Sequence, residues 1–179
     1  MWSEKLAPEA VQLRFRTKSG ILTADLRDDG IELDFPSLRA KKIKATAKLQ
    51  KALGAKPKAV VKVDEDILVE LSSEAAVRKL RPDLAELAKI KMRGVIVTAK
   101  ADKKYDFVSR WFGPAVGVDE DPVTGSAHCG LGPYWGERLG RTTMRGYQAS
   151  SRGGEVIVEL CGDRVLLRGR AVTFSRGQL

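Results

Sequence analysis

The sequence predicts an α+β fold in which a mixed sheet surrounds one long helix, and three observations carry that prediction. Between Thr124 and Leu139, Ala127, Leu131, Trp135 and Leu139 recur every fourth residue, a core-facing helical stripe that Gly140 closes. Short runs with strand character lie on both sides of that helix. The chain has 179 residues, of which 43% are hydrophobic, enough for one good core or two small ones.

The elements follow in order. Val11 to Thr17, Ile21 to Leu26 and Ile31 to Phe35 alternate apolar and polar residues, with turn residues at Lys18-Ser19-Gly20 and Asp28-Asp29-Gly30. They predict a β-meander that Pro36 ends. A helix is expected over Ala40 to Leu53. Ala59 to Val63 and Ile67 to Leu71 predict a hairpin across Asp64-Glu65-Asp66. Ser73-Glu74 opens a helix that Pro82 interrupts or restarts, running to about Lys89. Gly94 to Thr98 and Tyr105 to Trp111 are strand candidates, and the long helix comes next. Tyr147 to Ser150, Glu155 to Leu160, Val165 to Arg168 and Ala171 to Phe174 complete the sheet, with Cys161-Gly162-Asp163-Arg164 as a hairpin turn. Trp111, Phe112, Tyr134 and Trp135 cluster around the long helix and read mainly as core, since aromatics carry large buried areas.

The formal charge of +9 suggests nucleic acid until it is located. Nine bases and no acid lie between Arg39 and Lys62, and the remaining 23 bases match the 23 acids. On a helix over Ala40 to Leu53, Lys41, Lys44, Lys48 and Lys51 share one face. A solvated face is preferred to a phosphate-binding stripe, and no aromatic interleaves these lysines to stack on bases. Nucleic acid is not expected as a partner. No apolar run approaches a membrane span, and Met1-Trp2-Ser3-Glu4-Lys5 lacks the apolar segment of a signal peptide. A cytoplasmic protein is expected, with Cys129 and Cys161 reduced.

The chemistry concentrates in Glu120-Asp121-Pro122-Val123-Thr124-Gly125-Ser126-Ala127-His128. Pro122 stiffens the turn, Thr124 or Ser126 can cap a helix, and Gly125 lets a ligand approach the backbone. The first turn of a helix leaves amide donors unpaired at the positive end of the dipole, where a carboxylate or phosphate is stabilised. Asp121 is placed to bond a substrate hydroxyl or amine. On local chemistry alone the same residues also describe an ordinary capped helix with a surface aspartate. His128 is the only histidine, so a multi-histidine metal site is excluded. It points about 200° away from Ser126 on the helix, which is poor geometry for a nucleophile and its base. It reads as structural, or at most as lining a pocket entrance.

The flanking residues widen the motif. Phe107-Val108-Ser109-Arg110-Trp111-Phe112-Gly113-Pro114 precedes it, Leu131-Gly132-Pro133-Tyr134-Trp135 follows, and Ser151-Arg152-Gly153-Gly154-Glu155 comes further on. This array resembles the PhzF family, the phenazine-biosynthesis-like isomerases, where S-R-x-F-x-P, V-G-x-x-E-D-P-V-T-G-S-A-H, P-Y-W and S-x-R-G-G-E recur in the same order. The resemblance is specific over the second half of the chain and looser back to about Arg14. It implies the diaminopimelate-epimerase-like fold, two lobes that each wrap a curved mixed sheet round one helix. It also implies an enzyme without metal or organic cofactor, generally dimeric, moving a proton on a small cyclic or amino-acid-like carboxylate. Asp121 then corresponds to the family's active-site aspartate, and Gly125 with Ser126 to its substrate-holding helix start. Thr124 belongs with that helix start, and Arg152, Gly153 and Gly154 have the backbone freedom to approach an anion. The related epimerases use two catalytic cysteines, whereas Cys129, inside the predicted helix, reads as a small buried apolar group.

The family's N-L-S-E-T-x-F segment, which carries its principal proton-transferring glutamate, and its G-H-x-T segment are both absent from this sequence. Residues 1–36 are therefore expected to be the closing part of the first lobe, and residues 37–179 the second lobe, with the last strands returning to the first. Two readings stay open. One is a cofactor-independent isomerase, incomplete as this chain stands. The other is a noncatalytic remnant that binds a small carboxylate or a protein.

Overall fold

The computed structural model describes residues 12–17, 20–173 and 175, and its twelve strands join in one mixed sheet. The first three strands, β1 (Gln12–Thr17), β2 (Gly20–Arg27) and β3 (Gly30–Pro36), form the expected antiparallel meander. Val11, Lys18 and Ser19 fall outside the described residues. β4 (Ala40–Lys42), β5 (Ala59–Val63) and β6 (Asp66–Glu70) follow, the last two as the predicted hairpin. β7 (Val95–Lys100) and β8 (Phe107–Gly113) sit at the centre, and β9 (Val118–Asp121) pairs only with β8. After the long helix come β10 (Thr143–Gln148), β11 (Gly154–Cys161) and β12 (Arg164–Gly169). Across the sheet the order is β1-β2-β3-β12-β11-β10-β8-β7-β6-β5-β4. β6 with β7 and β8 with β10 are the parallel pairs.

The central strands are buried on both faces, so they read as nearly continuous apolar runs. One face packs α1 (Ala47–Leu53), α2 (Glu74–Lys79) and α3 (Leu84–Ala88) over Val60, Val69, Val97, Val108 and Phe112. The other face curls round α4 (Gly125–Leu139), whose Ala127, Leu131, Tyr134 and Trp135 meet Ile96, Phe107, Trp111, Val158 and Val165. Two glycines make the curl tight. A side chain at Gly130 would strike Val63 of β5, and one at Gly132 would strike Val158 of β11. Strands β11 and β5, five places apart in the sheet, thus touch one helix. The aromatics expected in the core are there, and their polar ends are satisfied: Trp135 Nε1 donates to Thr98 Oγ1 (3.0 Å) and Tyr134 Oη to Glu70 Oε2 (2.6 Å).

The structure corrects four expectations. Ala40 to Leu53 is not one helix, because residues 40–42 add to the sheet edge against β5 and Thr46 starts α1 afresh, its Oγ1 accepting from Leu49 N–H (3.1 Å). The lysine stripe therefore does not exist: Lys41 lies on β4, Lys44 in the connection, and Lys48 and Lys51 on α1. Strand β10 begins at Thr143 rather than Tyr147, since Gly146, which weakens the strand signal, is the residue that admits the Phe107 ring. Residues 171–173 carry no strand, and Phe174 is outside the described residues. β9, unexpected from the sequence, is a short, largely charged strand that leads directly into the motif turn.

β3 pairs with β12, so the meander continues the sheet, and Leu13, Ala24, Leu33 and Leu167 line up across four strands on the helix-facing side. Charged residues occupy the opposite side. There Glu32, 4% exposed, accepts from Arg27 and Arg168. Burial alone raises its pKa, but the two guanidinium bonds outweigh that and hold the carboxyl below its ordinary range.

Candidate active site

Asp121 ends β9, and three residues later Thr124 caps α4 in an extended conformation. Thr124 does not cap with its side chain as expected. Its Oγ1 turns back and donates to Asp121 Oδ2 across 2.5 Å. The reason lies on β10. Gln148 is completely buried, its Oε1 accepts from Thr124 N–H (2.8 Å), and its Nε2 donates to Asp121 O (2.7 Å) and Thr124 Oγ1 (3.2 Å). With a lone pair of Thr124 Oγ1 taken by Gln148, the hydroxyl hydrogen goes to the carboxylate. One side chain thus closes the whole turn.

A second clamp comes from the loop after β10. Ser150 Oγ donates to Pro122 O (2.8 Å) and accepts from Gly153 N–H (3.0 Å). Gly153 has φ +70°, and Gly154 lies so close to Val123 that a side chain there would overlap it. The loop of Arg152, Gly153 and Gly154 is therefore brought against the Asp121 turn, while Arg152 itself is exposed and forms no ion pair among the described residues. On the other side of β9, Arg110 grips Glu120 through two bonds (2.7 and 2.9 Å) and also donates to the Val77 and Leu80 carbonyls. This pair lines a cleft of about 530 Å³ together with Arg78, Arg81, Phe112 and Ser150. Asp121, Gly125 and Ser126 do not line it.

Gly125 is exposed and Ser126 half-buried, so the start of α4 is open to solvent. The α4 start follows the general rule for helices of this length: its first-turn amides have no partner within the helix and carry the positive end of the dipole. Ser126 Oγ accepts from Arg93 Nη2 (3.1 Å), a residue in the connection between α3 and β7. Gly125 and Ser126 with a half-buried, hydrogen-bonded carboxylate at Asp121 make one wall suited to a ligand with an anionic end and a donor group. The Gln148 and Arg93 contacts were not anticipated. Gln148 left one signal, a polar residue at an inward position of an alternating strand; Arg93 left none, since 33 residues separate it from Ser126.

His128 is fully buried. Nδ1 donates to Thr124 O (2.8 Å), and burial lowers its pKa to about 4, so the ring is neutral. Cys129 is buried too, its thiol pushed up to about 12 by desolvation, and Cys161 is exposed and unpaired. Among the described residues no cluster of three histidine, cysteine or carboxylate side chains could hold a metal ion. No helix among them is long and apolar enough to cross a membrane.

A helix enclosed by a mixed sheet, with an aspartate turn at the helix start, is an epimerase-like α+β architecture. The chain belongs to the PhzC-PhzF family of phenazine biosynthesis-like proteins, which it matches over residues 1–177. It is 48% identical over 168 residues to an uncharacterised isomerase of Pseudomonas aeruginosa, covering 94% of this chain and 64% of that protein. The crystal structure of a PhzF-family protein from Enterococcus faecalis superposes with a TM-score of 0.91 at 37% identity, over 97% of this chain and 66% of the other. A predicted epimerase from Pseudomonas aeruginosa shares the fold, with a TM-score of 0.63 at 18% identity, over 98% of this chain and 70% of the other. The chain thus spans less than two thirds of the length of that first relative.

Proposed function

We propose that this chain provides one wall of a cofactor-independent PhzF-type isomerase that moves a proton on a small carboxylate-bearing metabolite. The observation that carries the reading is the pairing of a held carboxylate, Asp121, with the open α4 start at Gly125 and Ser126. Removing a proton next to a carboxylate needs a positioned base and stabilisation of the developing negative charge. The α4 amides and the Ser126 hydroxyl supply the second. Asp121 Oδ2 is engaged by Thr124, which leaves Oδ1 to accept from a substrate amine or hydroxyl. Arg152, Gly153 and Gly154 border the same wall. The proton-transferring carboxylate, carried by the family's N-L-S-E-T-x-F segment, comes from polypeptide outside this sequence.

In this reading β1 to β3 are the closing part of the family's first lobe. Phe15 and Leu26, 42% and 52% exposed on the helix-facing side of the meander, then need covering. Homodimer formation in the cytoplasm meets that need, and sedimentation as a compact monomer would count against it. The dispersal of the lysines over β4, a loop and α1 supports a protein that does not bind nucleic acid. Fluorescence anisotropy with short DNA and RNA at low salt should stay flat.

The test is incubation of the chain, combined with a polypeptide that carries the N-L-S-E-T-x-F part of the first lobe, in heavy water with a panel of small cyclic and amino-acid-like carboxylates, read by mass spectrometry. Deuterium incorporation that disappears in Asp121→Asn supports the isomerase. The second reading is a noncatalytic carboxylate-binding protein. Carboxylate binding at Gly125 and Ser126 with no incorporation selects it.

A further inference from the structure

Arg93 lies outside every motif that pointed to the site, yet it reaches the first turn of α4. Its Nε donates to Asp66 Oδ1 (2.9 Å), and its Nη2 to both Asp66 Oδ2 and Ser126 Oγ, the latter at 3.1 Å. Asp66 is 2% exposed and takes a further bond from Trp111 Nε1 (3.1 Å). The guanidinium also lies over the Trp111 ring, 5.5 Å from its centroid. The fork is therefore held by a buried carboxylate and an aromatic face, and Ser126 meets a group that cannot turn away.

The direction of that contact matters. A guanidinium only donates, so Ser126 Oγ is the acceptor, and the serine's own hydrogen has no protein acceptor among the described residues. Were Arg93 absent, the hydroxyl would be free to rotate and to present a lone pair instead. We infer that Arg93 is a positioning residue: by occupying a lone pair of Ser126 Oγ, it commits the hydroxyl to donate to a bound carboxylate beside the α4 amides. This inference rests on Gly125 and Ser126 holding a carboxylate, as proposed above. It deepens that reading by placing a cation 3.1 Å behind the serine, where it also strengthens the serine as a donor. Its position behind Ser126 explains why a surface-reaching arginine, 35% exposed at its side chain, is anchored on a buried aspartate rather than left in solvent.

The experiment titrates benzoate into the isotope-labelled chain and follows the Gly125 and Ser126 amide signals by NMR. The unsubstituted chain is compared with Arg93→Met, Ser126→Ala and the double variant. Removing Arg93 strands the Asp66 carboxylate in the interior, so the set is repeated with Asp66→Asn, which keeps an acceptor for Trp111 without the charge. Arg93→Met is expected to weaken benzoate about tenfold, the scale of one charge-assisted hydrogen bond. In the Ser126→Ala background the same change should have no further effect, because its route to the ligand is gone. Equal losses in both backgrounds, or unchanged affinity in Arg93→Met, overturn the positioning role and leave the carboxylate site standing. If benzoate does not shift the Gly125 and Ser126 signals of the unsubstituted chain, the carboxylate reading falls, and the role of Arg93 with it.

Discussion

Thr124 Oγ1 donates to Asp121 Oδ2 across 2.5 Å, tying the residue that caps α4 to the carboxylate that ends β9. The bond couples the two halves of the candidate site: the aspartate cannot move without the helix start. Thr124→Val keeps the shape and removes the donor. Chemical denaturation should show a loss of about 1.5–3 kcal/mol, the cost of a hydrogen bond to a charged group. Benzoate affinity should fall as well, because Asp121 is released from its place beside Gly125.

Gln148 is the deeper support, since it meets the Asp121 to Thr124 turn through three bonds and no solvent reaches it. Gln148→Leu fits the space and leaves the Thr124 amide and the Asp121 carbonyl without partners. A loss of about 2–4 kcal/mol is expected from two unsatisfied backbone groups, measured by urea unfolding. A loss no larger than that of Thr124→Val would mean that the turn holds without the glutamine.

What could be read from the sequence and what could not divides on physical grounds. The α4 helix was legible because its signal is local: Ala127, Leu131 and Trp135 repeat at the helical period and Gly140 adopts the left-handed conformation that ends it. The meander and the β5–β6 hairpin were legible for the same reason, alternation bounded by turns. β4 was not, because lysines at helical spacing mimic a helix face, and only the edge of β5 turns Ala40 to Lys42 into a strand. The site divides likewise. Asp121, Gly125 and Ser126 lie within six residues and announce themselves as a motif. Gln148 and Arg93 act across the sheet, and nothing in their local sequence encodes the partner.

His128 sets an acid limit on stability. Burial lowers its folded pKa from 6.5 to about 4, so the unfolded chain takes up a proton that the folded one refuses. The stabilisation is complete above about pH 6.5, declines as pH falls below that value, and is lost once pH passes about 4. Linkage gives about 1.4 kcal/mol per pH unit within that window, or roughly 3 kcal/mol in all. His128→Asn keeps a donor near the Nδ1 position for the Thr124 carbonyl. It should be less stable at pH 8 because of lost ring volume, yet lack this slope between pH 6.5 and 4. Parallel denaturation midpoints against pH for the two chains are the measurement.

Two glycines of α4 separate folding from binding. At Gly130 a methyl group would overlap Val63, so Gly130→Ala must push the helix off β5. A loss of about 1–3 kcal/mol is expected, as for other overpacked cores. At Gly125 the nearest heavy atom to an added methyl is Leu167 Cδ1 at 4.0 Å, an ordinary contact, and the backbone is already helical. Alanine there removes the entropic handicap of glycine and should raise stability by about 0.5–1 kcal/mol. The same methyl stands over the exposed helix start, where a carboxylate must approach the amides. Gly125→Ala should therefore melt later and bind benzoate more weakly, a combination that a purely structural glycine does not produce. Calorimetric melting and the NMR titration on the same sample decide it. Unchanged benzoate affinity in a stabilised Gly125→Ala would move the anion site away from the start of α4.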